Sequence, residues 1–248
     1  MTIQRVLVAI VMEQEAKPFV EHLGLTQVED FFPSHTPFLA FEGTNHGSSS
    51  CHVTVITFGK DQIYGTGVDN VGTVPSSLAT YLALQKSSFD LVINAGTCGG
   101  FQRKGLAIGD VVLTNGVAHH DRRIPIPGFD TYGIGKIETL NPSNMAERLG
   151  FKTGICTTGN SLDKVDKDDE FMVANDASVK EMEAAAIAWI CTMCQVPYLG
   201  VKVVTDIVDG DIPTQEEFLA NLASAAQSLQ AALPQVLDYV SDKEVLEL

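Results

Sequence analysis

Three acidic residues stand where the surrounding sequence makes a charge expensive. Asp206 follows the run Tyr198-Leu199-Gly200-Val201-Lys202-Val203-Val204-Thr205, apolar enough for a buried strand, so its carboxyl falls at a strand end where clefts form. Glu183 lies in Glu181–Cys194 (EMEAAAIAWICTMC), a stretch that as a helix is apolar on nearly every face and is expected to be buried. At helical spacing Glu183 shares a face with Ile187, Ile190 and Cys191, where a carboxylate needs a partner; a pair of ligand hydroxyls would serve. Glu15 comes just past the apolar run Val6–Val11, in Met12-Glu13-Gln14-Glu15. Each has an ordinary alternative: a turn or cap for Asp206, a first-turn complement to a helix dipole for Glu183 and Glu15. The set is less ordinary, because carboxylates from three distant segments converge only at one mouth of a sheet. Two carboxyls in unequal environments divide acid and base work between them. Thr205 is placed to orient the carboxyl of Asp206.

The elements that must position these groups follow from periodicity. Val6–Val11 predicts a strand, and Glu13–Leu23, with Ala16, Phe19, Val20 and Leu23 on one face, predicts a helix that stops at Gly24. Leu39–Glu42 and Cys51–Phe58 form a hairpin-like pair joined by the loop 43–50. Val71–Gln85 reads as a small-residue helix leading to an Asp90–Asn94 strand, which runs into a glycine turn at Gly96–Gly100. Further strands are expected at 110–115, 152–156 and 196–204, helices at 180–194 and 214–240, the last broken near Pro234. Residues 118–138 read as a long irregular loop of functional or interfacial kind. With no repeat and no linker, this alternation predicts one domain over residues 1–248: an α/β fold, a three-layer α/β/α sandwich with a mixed central sheet.

Composition narrows the partners. The 248 residues carry 16 Lys+Arg against 31 Asp+Glu, a net charge of -15, which repels a phosphate backbone or an anionic membrane and favours a small or neutral ligand. The apolar stretch behind Arg5 is too short to span a bilayer and lacks a small-residue cleavage site, so no signal peptide is expected. Five scattered cysteines do not resemble a disulfide framework, which points to the cytoplasm. Cys191-Thr192-Met193-Cys194 has redox-like spacing but falls late in a buried helix and reads as core packing. His119-His120-Asp121 could bind a metal, but neighbours on an extended segment point to opposite faces, which favours a structural or interface role. Gly96–Gly100 and Thr158–Ser161 match neither the dinucleotide fingerprint nor the phosphate-binding loop.

Taken together, Ala9-Ile10-Val11-Met12-Glu13-Gln14-Glu15, Phe58-Gly59-Lys60, Asn94-Ala95-Gly96-Thr97-Cys98-Gly99-Gly100, Gly109-Asp110-Val111-Val112, His120-Asp121, Met182-Glu183-Ala184-Ala185-Ala186 and Thr205-Asp206 resemble the 5'-methylthioadenosine/S-adenosylhomocysteine nucleosidases of the nucleoside phosphorylase superfamily. The resemblance runs in order along nearly the whole chain and looks most like the plant branch. It implies a nucleoside phosphorylase-like fold and hydrolysis of the N-glycosidic bond of 5'-methylthioadenosine, a methionine-salvage reaction, with no cofactor and no metal. It further implies that Asp206 protonates the leaving adenine, Glu15 activates water and Glu183 holds the ribose 2'- and 3'-hydroxyls. Lys180, Glu181 and Met182 would line the ribose and base site, Thr97 would border the sugar, and Leu162 would lie near adenine. The 5'-alkylthio pocket would have Met12 as one wall and the partner chain of a homodimer, through Ile124–Tyr132, as another.

That chemistry suits the residues. Cleaving sugar from base passes through a cationic sugar, which needs an acid at the leaving group, a base holding water opposite, and negative charge near the hydroxyls. Leu162 stands where bacterial members place an aromatic, and Pro213-Thr214-Gln215 precedes Glu217-Phe218 in a shorter segment, so the 5' pocket differs and acceptance of the charged homocysteine tail stays open. Two rivals stand beside this reading. A phosphorolytic relative would need an anion site where Glu13 and Glu15 supply negative charge, and a non-catalytic nucleoside-binding protein would have no use for Asp206.

Overall fold

The computed structural model describes residues 2–47 and 50–248, with Leu246 described by its backbone alone. The chain runs β1 (Arg5–Ile10), α1 (Glu13–Leu23), β2 (Thr26–Gln27), β3 (Leu39–His46), β4 (Ser50–Thr57), α2 (Thr73–Lys86), β5 (Leu91–Gly100) and β6 (Val111–His119). It continues with α3 (Phe129–Ile134), β7 (Ile137–Glu138), α4 (Ser143–Leu149), β8 (Lys152–Thr158), α5 (Asp166–Ala174), β9 (Ala177–Glu181), α6 (Ala184–Met193), β10 (Tyr198–Ile207) and α7 (Thr214–Val240).

The strands form one mixed sheet in the order β10-β6-β8-β9-β5-β1-β4-β3-β2, with β7 on β6. β10 also pairs with β5, so five strands close into a ring and β1, β4, β3 and β2 extend from it as an open wing. Alternation along the central strands divides the core in two. Val6, Val8 and Ile10 point to α1 and α7, where they meet Phe19, Leu229, Leu233 and Val236. Leu7, Ala9 and Val11 point to the other side, where Ala79 and Ala83 of α2 and Ala184, Ile187 and Ala188 of α6 pack. Small residues on those two helices let them approach the sheet closely, and the result is an α/β/α arrangement around a mixed sheet.

Several sequence expectations need correction. Residues 177–181 form a strand: β9 pairs with β8 and β5, and this pairing overrides the helix propensity of Lys180-Glu181-Met182-Glu183-Ala184. Glu183 is consequently the residue that opens α6 and lies outside its first turn. α6 is also not buried all round, since Trp189 is 48% and Met193 52% exposed. Gly96–Gly100 is strand to its end, because bare backbone is needed there; a side chain on Gly99 would press within 2.7 Å of Asp206 Oδ2. The loop expected at 118–138 begins only after His119 and contains α3 and β7. The helix 214–240 is continuous through Pro234, where burial of Leu233, Val236 and Leu237 outweighs the lost backbone bond. The β3–β4 hairpin is longer than expected, from Leu39↔Thr57 to His46↔Ser50, and residues 48 and 49 of its loop lie outside the described residues.

Candidate active site

The carboxyl ends of β1, β5 and β10, the β9–α6 turn and the start of α7 enclose a cavity of about 590 Å³. Glu15, Glu183 and Asp206 all line it, although they come from opposite ends of the chain. Met12, Thr97, Leu162, Lys180, Glu181, Met182 and Thr205, the other residues singled out from sequence, line it as well.

Glu15 is carried by the first turn of α1. Its Oε1 accepts the Thr97 backbone N–H at 2.8 Å and the Thr97 hydroxyl at 2.6 Å. Burial pushes its carboxyl above the usual range, while the two Thr97 bonds and the Lys202 charge pull the other way. Asp206 sits beside an irregularity in the β5–β10 register between Val204 and Asp206, which re-aims the strand end. Burial raises its carboxyl too, against the Thr205 hydroxyl, which donates to Oδ1 at 2.8 Å, and the nearby Lys180 charge. Asp206 and Glu15 are therefore both poised to hold protons more tightly than a surface carboxylate, for the same dominant reason.

Glu183 is held differently. Its Oε1 accepts the backbone N–H of Gly72, at the entry of α2, at 2.7 Å. Burial first, and the Glu181 charge second, push its carboxyl up to about 8. Glu181 shows the opposite balance: burial disfavours its charge, but Lys202, the Thr158 hydroxyl and the Glu183 N–H hold it below the usual range. Lys180 donates from Nζ to Ser161 O and Leu162 O, both at 2.8 Å, and so fixes the segment that carries Leu162 to the cavity wall.

The remaining motifs lie outside this cavity. His119 and His120 are buried, and desolvation lowers both to about 4. The His120 ring covers Gly159 and its Nδ1 faces Thr157 Oγ1 at 3.1 Å, which makes it a packing element. Among the described residues no group of three His, Cys, Asp or Glu is arranged to hold a metal ion. Cys191 is buried in α6, where desolvation raises its thiol; Cys194 is half-buried. Among the described residues, no helix is long and apolar enough to cross a membrane.

A family model described as the phosphorylase superfamily matches residues 5–238. The chain is 41% identical over 247 residues to the 5'-methylthioadenosine/S-adenosylhomocysteine nucleosidase of Arabidopsis thaliana, covering 99% of this chain and 95% of that one. The chain belongs to this nucleosidase family of the phosphorylase superfamily. It is also 40% identical over 247 residues to the 5'-methylthioadenosine nucleosidase of the same plant, covering 99% of this chain and 91% of that one. The solved apo structure of an Arabidopsis thaliana 5'-methylthioadenosine nucleosidase superimposes with a TM-score of 0.95 at 39% identity over 100% of both chains.

Sequence reasoning missed Val68, Asp69 and Val71, which line this nucleosidase-family cavity from the loop before α2, whereas Thr214 and Phe218 line it from the segment already expected to shape the 5' pocket. No local signal marks the three loop residues, because their place is set by how distant segments pack. Lys202 is different. A lysine in the middle of an apolar strand is as conspicuous as Glu183, and the run Tyr198–Thr205 displays it openly.

Proposed function

We infer that this chain hydrolyses the N-glycosidic bond of 5'-methylthioadenosine to adenine and 5-methylthioribose, as an N-glycosyl hydrolase of methionine salvage. The observation that carries the reading is the convergence of Glu15, Glu183 and Asp206 on one cavity in a chain of this family. Asp206 is the general acid that protonates adenine as it leaves. Its raised proton affinity suits that role, and a proton on Asp206 completes the local bonding, since the one Thr205 hydroxyl proton faces two acceptors, Cys98 O and Asp206 Oδ1. Glu15 holds and activates the attacking water, and Glu183 binds the ribose hydroxyls through its carboxyl oxygens. Thr97 and Met182 border the sugar, Lys180, Glu181 and Leu162 frame the base side, and Met12 forms a wall of the 5'-alkylthio pocket. Glu13, expected to add negative charge there, is exposed and paired with Lys60, so buried Glu15 is the carboxylate that disfavours phosphate on the water side and favours hydrolysis over phosphorolysis.

The active form is a homodimer in the cytoplasm. Val74, Leu78 and Tyr81 of α2 with Trp189 and Met193 of α6 expose a band of large apolar side chains, with Ile126, Phe129 and Tyr132 also exposed on the segment 124–132. A second copy would cover that band and complete the 5' pocket through 124–132. Free cysteines, four of them buried, fit a reducing compartment.

The test is a product assay with 5'-methylthioadenosine, with and without phosphate, and with S-adenosylhomocysteine in parallel. Adenine and free methylthioribose without phosphate are expected. Strict phosphate dependence with a sugar 1-phosphate product would overturn the reading, and the parallel reaction measures how far the 5' pocket admits a charged tail.

A further inference from the structure

Lys202 is 2% exposed, in the middle of β10 between Val201 and Val203, with its side chain in the cavity wall. Its ammonium bonds Glu181 Oε2 at 3.0 Å. Glu181 is itself the anchor of the next turn: it accepts the Thr158 hydroxyl at 2.6 Å and the backbone N–H groups of Glu183 and Ala184, each at 2.9 Å. One ion pair therefore ties the strand that carries Asp206 to the turn that carries Glu183. The surroundings of the ammonium are unbalanced. Its charge acts on Glu15 of α1, Cys98 of β5, Cys156 of β8, Glu181 of β9 and Glu183 at the start of α6, and Lys202 pairs across the sheet with Gly96, where a side chain would come within 3.4 Å of Glu15 Oε2. The next charges, Lys180 and Asp206, face each other. Three buried carboxylates thus lie within the field of one ammonium, and Glu181 has claimed it geometrically.

We propose that Lys202 is a positioning residue for the glycosidic hydrolysis: paired with Glu181 it fixes Glu183 relative to Asp206, and from the wall of the same cavity its charge joins the Thr97 bonds in favouring the anionic form of Glu15. The proposal rests on the reading of Glu15 as the base. An ion pair kept only for folding would need a partner for Glu181 and nothing more; here the same ammonium also lines the cavity and acts on Glu15. Burial alone drives the Glu15 carboxyl towards its neutral form, and the Lys202 charge acts with the Thr97 bonds against that drive.

The experiment compares wild type, Lys202→Arg, Lys202→Met and the double variant Lys202→Met/Glu181→Gln. The double variant replaces the buried pair with a neutral one, which proteins generally tolerate better than a lone buried charge. The readout is kcat/KM for 5'-methylthioadenosine against pH. Because Glu15 must be ionised, losing the cation should move the acid limb up by about one pH unit or more in both Met variants, with activity near pH 6 down about tenfold and partly recovered at higher pH. Lys202→Arg should keep the limb in place. A uniform loss of kcat with an unmoved limb in the double variant would overturn the proposal. A second readout does not need turnover: carbon-13 carboxyl resonances of glutamate-labelled protein, with Glu15 assigned through Glu15→Gln, titrate directly. An unchanged Glu15 midpoint in the double variant would sink the proposal even if wild type hydrolysed its substrate. A raised midpoint in a protein that released no adenine would instead sustain the electrostatic role and remove the functional reading.

Discussion

The cavity mouth and the α2–α6 face break the ordinary rules of folding in opposite directions. At the mouth, charged side chains are buried: Glu15, Glu181, Glu183, Lys202 and Asp206 are all almost wholly enclosed. On the α2–α6 face, apolar side chains are exposed, with Val74 78% and Trp189 48% open to solvent. Both arrangements disfavour the isolated chain, and each is relieved by something that binds. In the proposed reading, carboxylates at the mouth meet hydroxyls, water and a leaving base, whereas the face meets apolar surface of another copy. Substitutions at the mouth should therefore trade activity against stability, and substitutions on the face should change assembly first and activity second.

The largest effect is expected at Asp206. Replacing the proposed general acid with its amide removes a proton needed mainly in the transition state, so Asp206→Asn should lower kcat by about 10²–10⁴ while adenine still binds. Isothermal titration with adenine beside a turnover assay checks both halves. Near-wild-type turnover would remove Asp206 from the acid role.

Glu183→Gln sharpens the comparison, because it should damage function and help folding. The Glu183 carboxyl has an ordinary value of 4.5 and is pushed up to about 8 in the folded chain. Between those two values the folded state binds more protons than the unfolded state, so the wild-type contribution to stability is full at low pH and is lost as pH rises through that window. The amide does not titrate. Glu183→Gln should therefore gain stability relative to wild type as pH rises from 5 to about 8.5, at about 2–4 °C of melting temperature for each kcal/mol recovered. At the same time kcat/KM should fall by about a hundredfold, a few kcal/mol, as one of the two carboxyl oxygens that meet the sugar hydroxyls is replaced. A melting difference that does not change with pH would show that Glu183 is ionised in the free protein and that its burial is not costly.

The face is tested by Trp189→Arg. A large cation in the middle of an apolar band should prevent the proposed self-association, and the native mass by light scattering should fall from that of two chains to that of one. With the 5' pocket left open on one side, kcat/KM should drop about tenfold, mostly through KM, since remote binding contacts are lost and the three carboxylates remain in place. A monomeric wild type at micromolar concentration, or a variant that stays dimeric, would detach the apolar band from assembly.

The same contrast explains what could be read from the sequence. Glu15, Glu183 and Asp206 were legible because a charge beside apolar residues signals its own expense, and the strands and helices around them follow from alternation and helical spacing. Lys202 carried the same signal within the same apolar run but was passed over, which shows that the rule applies to cations as well as carboxylates. β9 was not legible: Lys180-Glu181-Met182-Glu183-Ala184 has helical preferences, and only pairing with β8 and β5 makes its first part a strand. Nor were Val68 and Val71, whose place in the cavity comes from a loop packed across the fold. The exposed face could not be seen either, because an apolar helix reads as buried in sequence whether its cover is its own chain or another.

The smallest effect, and the finest test of the mouth, is expected from Thr97→Val. Two Thr97 donors meet the same oxygen of Glu15, the hydroxyl at 2.6 Å and the backbone N–H at 2.8 Å, and the substitution removes only the first. Both bonds favour the ionised carboxylate against burial, so deleting one should raise the Glu15 carboxyl without neutralising it. A hydrogen bond to a charged group is worth roughly 1.5–3 kcal/mol, and the surviving N–H bond will strengthen in compensation, which together predict an acid limb shifted up by about one pH unit. Near pH 6 the variant should turn over several-fold more slowly, and above pH 8 it should approach wild type. A loss that is equal at all pH values would mean that the Thr97 hydroxyl positions Glu15 or the sugar without tuning its charge. The base would then be held ionised by the cation at Lys202 and the backbone alone.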